Sequence, residues 1–130
     1  MAGILVVETV LLLILQGQSR EGGGGVEEAE NSREWAVGDN RGWSIVVMGW
    51  PNYKPFKAGD VLVFKYKAGQ HNVVAMRDPV AYSLCCQFPL NATTYSSGDD
   101  RVILAHGMTF FLSTISDDCT NGMKMAVTAS

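Results

Sequence analysis

Ser113, Asp118 and Met123 follow one another at intervals of five positions, and His71 lies upstream in His71-Asn72-Val73-Val74. A type 1 copper site uses two imidazoles, one thiolate and a long, weak bond to a methionine. The order Cys-x4-His-x4-Met, with one upstream His, would supply that set. The chain therefore keeps the spacing of a copper site but has Ser at the thiolate position and Asp at the second imidazole position.

The donors that remain suit copper poorly. A serine hydroxyl is neutral at pH 7 and binds copper(I) weakly, and a carboxylate prefers hard cations to soft ones. Zinc takes about three protein ligands even at an open site, and one imidazole, one carboxylate and one thioether fall short of that set. We expect no bound metal at His71, Ser113, Asp118 and Met123. The simpler alternative is a polar pocket in which His71 is hydrogen-bonded, with Asp118 as its candidate partner.

The composition indicates one globular domain rich in strands. The chain is 47% hydrophobic, which is enough for a packed core. Its net charge is -3, and the sequence has no stripe of basic residues that would bind nucleic acid. Short apolar segments separated by turns predict strands near residues 61–66, 72–76, 101–104, 108–112 and 123–128. No long helical period is present. This pattern favours an all-β sandwich or barrel.

The amino end has the features of a targeting segment followed by a spacer. Residues 4–15 are apolar except for Glu8 and Thr9, and this stretch is too short to span a bilayer. We predict an atypical signal peptide over residues 1–18, a flexible Gly/Glu-rich segment over 19–33 and one folded domain over 34–130. The mature domain has no predicted transmembrane span. The alternative is a disordered amino-terminal extension without a targeting role.

The cysteines and one sequon favour export. The three cysteines are Cys85, Cys86 and Cys119. In a secreted sandwich, Cys119 would pair with one of the first two, because two adjacent cysteines are strained as partners. The alternative is three buried free thiols in a cytosolic protein. Asn91-Ala92-Thr93 is an acceptor sequon for N-glycosylation, so Asn91 is the predicted glycosylation site.

Residues 35–130 resemble a phytocyanin, most closely the plantacyanin (basic blue protein) branch. The segments that carry the resemblance occur in order along the domain, and they are Val37-Gly38-Asp39, Gly42-Trp43, Trp50-Pro51, Phe56 to Phe64, His71 to Val74, Cys86-x2-Pro89, Tyr95-x-Ser97-Gly98 and Gly122 to Val127. The resemblance implies a Greek-key cupredoxin β-sandwich of seven to eight strands. It also implies a plant protein of the cell exterior that transfers one electron at type 1 copper.

The resemblance also implies a role for individual positions. The first His ligand of the family corresponds to His71 and the axial Met to Met123. The thiolate position is occupied by Ser113 and the second His position by Asp118. The two strongest ligands are therefore the two that are replaced.

The family disulfide corresponds to Cys86 with Cys119, because Cys86-Gln87-Phe88-Pro89 keeps the Cys-x-x-Pro pattern of the family. We therefore predict a secreted, non-enzymatic domain of the apoplast or cell wall, without a bound cofactor. It would serve as a binding or signalling module for an extracellular or cell-wall partner. The alternative is a blue-copper electron carrier, with copper as its cofactor.

Overall fold

Seven strands in two sheets dominate the part of the chain that the computed structural model describes, residues 32–85 and 91–130. The strands are β1 (Glu34–Ala36), β2 (Val61–Lys65), β3 (Val73–Met76), β4 (Thr93–Tyr95), β5 (Asp99–Ile103), β6 (Gly107–Leu112) and β7 (Lys124–Ala129). One α-helix, α1 (Pro79–Leu84), and the 3-10 turns Asp39–Arg41 and Val47–Gly49 are also described. The predicted signal segment 1–18, residues 19–31 of the predicted spacer, and Cys86 lie outside the described residues.

The strands form a three-stranded sheet, β1-β2-β5, and a four-stranded sheet, β4-β3-β6-β7. β1 runs parallel to β2, and the remaining neighbours are antiparallel. The chain changes sheets between β2 and β3, between β4 and β5, and between β5 and β6. The predicted all-β sandwich of seven to eight strands is confirmed, with seven strands among the described residues.

The main hydrophobic core fills the space between the sheets. Leu62 and Phe64 of β2 and Met125 and Val127 of β7 have no exposed surface. Trp43 lies edge-on to Phe64, with the ring centroids 5.1 Å apart. Each large apolar side chain buried in this way stabilises the fold by roughly 1.5–3 kcal/mol. Side-chain packing between the two sheets therefore contributes much of the stability of the sandwich.

A second core cluster lies where α1 packs against the four-stranded sheet, with Ala81 close to Phe110. The helix begins at Asp78, whose carboxylate accepts hydrogen bonds from the Val80 and Ala81 N–H groups at 2.9 and 3.2 Å. Pro79 occupies the first helical position. This helix was not predicted because it is only six residues long, although Asp followed by Pro is a helix-start signal. In the described part of the chain, no helix is long and apolar enough to cross a membrane.

The five predicted strands are all present, with ends shifted by at most two residues. β1 and β4 were missed because each has three residues, too few to show an alternating pattern. In the last strand, Met125 and Val127 alternate with more exposed residues and both face the core.

The disulfide joins Cys85 to Cys119, with their Cα atoms 5.8 Å apart. The predicted Cys86–Cys119 pairing is therefore wrong. Cys85 follows the last residue of α1 and caps the helix in a left-handed conformation (φ 53°, ψ 32°), and its N–H donates to the Ala81 carbonyl at 3.1 Å. The end of the helix thus directs Cys85 into the cluster where Cys119 is buried. Loop-closure entropy could not distinguish the candidates, because their loops differ by one residue.

Candidate functional site

Buried hydrogen bonds of Asn72 hold the segment that carries His71, just before β3. The Trp43 indole N–H donates to the carbonyl oxygen of Asn72 at 2.8 Å. The Asn72 side chain makes two further bonds to Thr114, since its amide donates to Thr114 Oγ1 and its carbonyl accepts from the Thr114 N–H, both at 2.8 Å. Asn72 is buried. It therefore joins the segment that carries His71 to the segment that carries Ser113.

The other three positions lie on the loop that connects β6 to β7. Ser113 follows the last residue of β6 and Met123 precedes the first residue of β7. The Ser113 N–H donates to the Met123 carbonyl at 3.1 Å, and the Met123 N–H donates to the Asp118 carbonyl at 2.8 Å. These backbone bonds close the loop on itself, and Cys119 ties it to the end of α1.

Asp118 connects His71 and Ser113 by hydrogen bonds. Its Oδ2 lies 2.7 Å from His71 Nδ1 and 2.7 Å from Ser113 Oγ. Because a carboxylate only accepts, we assign the proton of the imidazole to Nδ1 and that of the serine to Oγ. Ser113 has no exposed surface, whereas the His71 side chain is 28% exposed and that of Asp118 is 15% exposed. The structure thus brings three of the four predicted positions into contact at a pocket that reaches the surface.

Met123 completes the group through the backbone. It is fully buried and belongs to the main hydrophobic core. Gly122, which precedes it, has a φ of 103°, and a side chain added there would meet the Ile45 carbonyl at 3.0 Å. Glycine is required at this turn by both the backbone conformation and the close approach.

This arrangement does not have the order of a nucleophilic triad. In such a triad the histidine lies between the serine and the carboxylate and takes the serine proton. Here Asp118 lies between the other two, and the Ser113 hydroxyl donates to the carboxylate. Ser113 is also inaccessible to a substrate. The Ser113, His71 and Asp118 side chains therefore do not form an activated nucleophile.

The residues present do not fit a type 1 copper ion. Such an ion requires a thiolate and two imidazoles, and this pocket offers one imidazole whose Nδ1 lone pair is absent in the assigned tautomer. Cys119, the nearest cysteine in sequence, is bonded to Cys85. Among the described residues, no group of three or more His, Cys, Asp or Glu side chains is arranged to hold a metal.

The family model of the Plastocyanin-like domain matches residues 35–123. The chain belongs to the phytocyanin family. This phytocyanin is 42% identical over 103 residues to chemocyanin of Lilium longiflorum, covering 79% of this chain and 80% of that protein. It is 44% identical over 95 residues to basic blue protein of Arabidopsis thaliana, covering 73% and 72% of the two chains.

The fold is shared with cucumber basic protein, a blue copper protein, at a TM-score of 0.71 and 37% identity. The match covers 75% of this phytocyanin and 99% of that chain. The predicted cupredoxin fold is therefore confirmed. Ser113 and Asp118 stand where the sequence spacing predicts the thiolate and the second imidazole of a copper site, and neither side chain is of that type.

Two features of the site were not predicted from the sequence. The first is the pair of hydrogen bonds between Asn72 and Thr114, although Asn72 belongs to the His-Asn-Val-Val motif. The second is the choice of Cys85 over Cys86, which the capping signal of α1 could have indicated. Asn91, the predicted glycosylation site, is not one of the residues of this pocket, and it is exposed.

Proposed function

We propose that this phytocyanin has lost type 1 copper and acts as an extracellular or cell-wall binding module. The observation that carries this proposal is the bond of Asp118 Oδ2 to both His71 Nδ1 and Ser113 Oγ. Each of these three side chains has a partner without a metal. The pocket is therefore a satisfied polar network in place of a ligand set.

Three features support a location outside the cell. The Cys85–Cys119 disulfide is typical of proteins from oxidising compartments. Asn91 lies in an exposed sequon, where a glycan could be attached. The predicted signal peptide over residues 1–18 would direct the remainder of the chain to the apoplast or cell wall. A binding or signalling role without catalysis is consistent with the missing nucleophile and the missing copper ligands.

Electron transfer at copper is the second candidate, and the family match favours it. Relatives of this chain are named blue copper proteins. In this chain, backbone hydrogen bonds close the loop between β6 and β7, where the resemblance would place three of the copper ligands. This candidate requires a thiolate, which the pocket lacks among its described residues. Copper held by the remaining donors would not give the colour of a copper–thiolate bond.

The deciding experiment is metal analysis of the protein purified from the medium of secreting plant cells. The proposal predicts less than about 0.1 copper per chain and no absorption band at about 600 nm, the region where copper–thiolate sites absorb strongly. The same sample should be incubated with copper(II), desalted and measured again. Stoichiometric copper with an intense blue band would establish the electron carrier and overturn the proposal.

A further inference from the structure

An open groove of about 200 Å³ lies on the domain away from the former copper pocket. Its lining comes from β3, β4, β5 and β6, together with Arg77, Asn91 and Ala105. β4 is the terminal strand of the four-stranded sheet and β5 is the terminal strand of the three-stranded sheet. The groove therefore follows the opening between the two sheets at their free edges.

The groove combines an apolar wall with polar groups. Ile103 on β5 lines it and is 72% exposed, next to the almost buried Val102. Arg77 also lines it, and its guanidinium donates to the His106 carbonyl at 2.8 Å and to Thr109 Oγ1 at 3.4 Å. A guanidinium carries five N–H donors, so donors remain for a ligand beyond these described bonds. Apolar surface with a few directed polar groups is typical of a binding groove.

The wall of the groove contains its own attachment point. Asn91 and Thr93, the acceptor and the hydroxyl residue of the sequon, both line the groove and are both exposed. Tyr95, two residues further along β4, lines it as well. Alternate residues of an extended segment project to the same side. A sugar on Asn91 would thus begin at the rim of a surface that continues along β4.

We propose that the N-linked glycan of Asn91 lies in this groove, with its first N-acetylglucosamine against Ile103. This inference rests on the proposed export of the chain. The sugar has an apolar ring face and an acetamide methyl that match the apolar wall, and its hydroxyl groups match Arg77 and Thr109. Covalent attachment keeps the sugar at a high local concentration, so weak contacts suffice to hold it there.

Attachment is a group transfer from a lipid-linked oligosaccharide pyrophosphate. Asn91 Nδ2 forms a bond to the anomeric carbon of the first sugar. The bond from that carbon to the donor's phosphate oxygen breaks, so that the lipid pyrophosphate leaves with the bonding electrons. One proton of Nδ2 passes to a base of the transferase. No oxidant or reductant is needed.

Covering this groove would protect the two free sheet edges. A terminal strand exposes unpaired backbone groups to which another chain can add, and an exposed apolar residue on it increases that risk. Ile103 lies on such a strand. A glycan over the groove would place a hydrated, bulky group across the opening between β4 and β5. The glycan would then stabilise the monomer as well as mark an exported protein.

The test compares two forms of the full chain secreted by eukaryotic cells that make high-mannose glycans. One form is trimmed with endoglycosidase H to leave a single N-acetylglucosamine on Asn91, and the other carries Asn91→Gln. We expect the trimmed form to unfold about 3–6 °C higher, a range suited to one additional side-chain contact in a domain of this size. Nuclear Overhauser contacts should connect the acetamide methyl to the Ile103 methyl groups.

Ile103→Thr tests whether the sugar contacts Ile103 or is merely attached to Asn91, because the substitution keeps the β-branched shape and removes apolar surface. It should abolish the thermal advantage of the trimmed form and have little effect in the Asn91→Gln background. Ile45→Thr is the matched control, since Ile45 is 51% exposed and does not line the groove. A sequon left unoccupied on exported protein, equal unfolding temperatures of the two forms, or an equal effect of Ile103→Thr in both would overturn the inference.

A failure of export is distinguished from a failure of the groove inference by fusing the full chain to a heterologous signal peptide. If only this fusion protein is glycosylated, the predicted native signal has failed and the groove inference is judged on the fusion protein. If both proteins are glycosylated and show no thermal difference from Asn91→Gln, export stands and the groove inference is wrong.

Discussion

Two carboxylates of this phytocyanin are fully engaged by hydrogen bonds, yet their partners differ in kind. Asp60 accepts from the Arg33 N–H at 3.0 Å, from the Lys57 N–H at 3.0 Å and from the Trp35 indole at 2.9 Å. It is 1% exposed. Two of its three donors are backbone groups, so Asp60 joins the segment that precedes β1 to the turn that precedes β2.

Asp118 is engaged by side chains alone. Its Oδ2 accepts from His71 and Ser113, and its side chain remains 15% exposed. The backbone of its loop is held by other contacts, namely the bonds between Ser113 and Met123 and the disulfide at Cys119. A carboxylate that satisfies backbone groups is part of the scaffold. One that satisfies only side chains can be replaced together with them, so the pocket can change its chemistry while the fold persists.

The largest expected effect is the gain of a copper site in Ser113→Cys with Asp118→His. The double variant supplies the thiolate and the second imidazole, while His71 and Met123 are already present. We expect it to bind about one copper(II) per chain and to absorb intensely at about 600 nm. Metal analysis and visible spectroscopy of the refolded protein measure both.

The two single variants are the controls for this gain. Ser113→Cys lacks the second imidazole and Asp118→His lacks the thiolate, so neither should develop the intense band. Disulfide mapping must show that the new cysteine has not exchanged with the Cys85–Cys119 bridge. A correctly folded double variant that stays colourless in excess copper would mean that the pocket is not a replaceable part of the scaffold.

Removing the disulfide measures how much the bridge, and not Asp118, contributes to the stability of the loop between β6 and β7. In a Cys86→Ser background, adding Cys85→Ser should lower the free energy of unfolding by about 3–4 kcal/mol, because a bridge across 34 residues is lost. Cys86→Ser alone should change it by less than about 1 kcal/mol. Urea denaturation measures both. A large effect of Cys86→Ser alone would place the bridge at Cys86 and contradict the Cys85–Cys119 pairing.

The same chemical change at both carboxylates sharpens the comparison. Asp60→Asn turns an acceptor into an amide donor against a buried N–H group, and we expect a loss of about 2–3 kcal/mol of stability. Asp118→Asn should lose about 1 kcal/mol or less, because the partly exposed His71 can bond to water and the amide oxygen of the new residue can still accept from the buried Ser113 hydroxyl. Denaturant titrations of the two variants give the values. Equal losses would contradict the division into scaffold and replaceable pocket.

The sequence predicted the frame of the site better than its contacts. The interval between Ser113, Asp118 and Met123 suffices to predict one closing loop, because the strands on either side fix both ends. The spacing does not encode the side-chain rotamers. It therefore could not predict that Asp118 uses Oδ2 or that the assigned Nδ1–H of His71 donates to it. β1 escaped prediction for a related reason: its three residues are placed by pairing with β2, which is a tertiary contact.

The choice of cysteine shows the same limit. The Cys-x-x-Pro pattern selected Cys86, but the direction of a side chain at the end of α1 selected Cys85. One residue along a helix end rotates the side chain by about 100°. A local motif cannot resolve that rotation, whereas the packing of α1 on the sheet does.

The smallest expected effect concerns acid. Burial by itself would raise the pKa of Asp60, but hydrogen bonds from the Arg33 N–H, the Trp35 indole and the Lys57 N–H outweigh it and hold that pKa below its ordinary value. A lowered pKa in the folded state means that the unfolded chain binds the proton more readily. The contribution of ionised Asp60 is therefore complete above the unfolded pKa of about 3.9 and is lost as the pH falls through the folded pKa.

This sign gives a test that other carboxylates do not obscure. The difference in unfolding free energy between the parent protein and Asp60→Asn should be constant from about pH 7 to pH 5 and should narrow below about pH 4. Comparing the two proteins at each pH cancels groups that titrate alike in both. A difference that stayed constant or widened in acid would mean that the ionised form of Asp60 is not the one its three donors stabilise. Asp60 would then hold the turn through its shape and neutral hydrogen bonds, and the contrast with Asp118 would rest on burial alone.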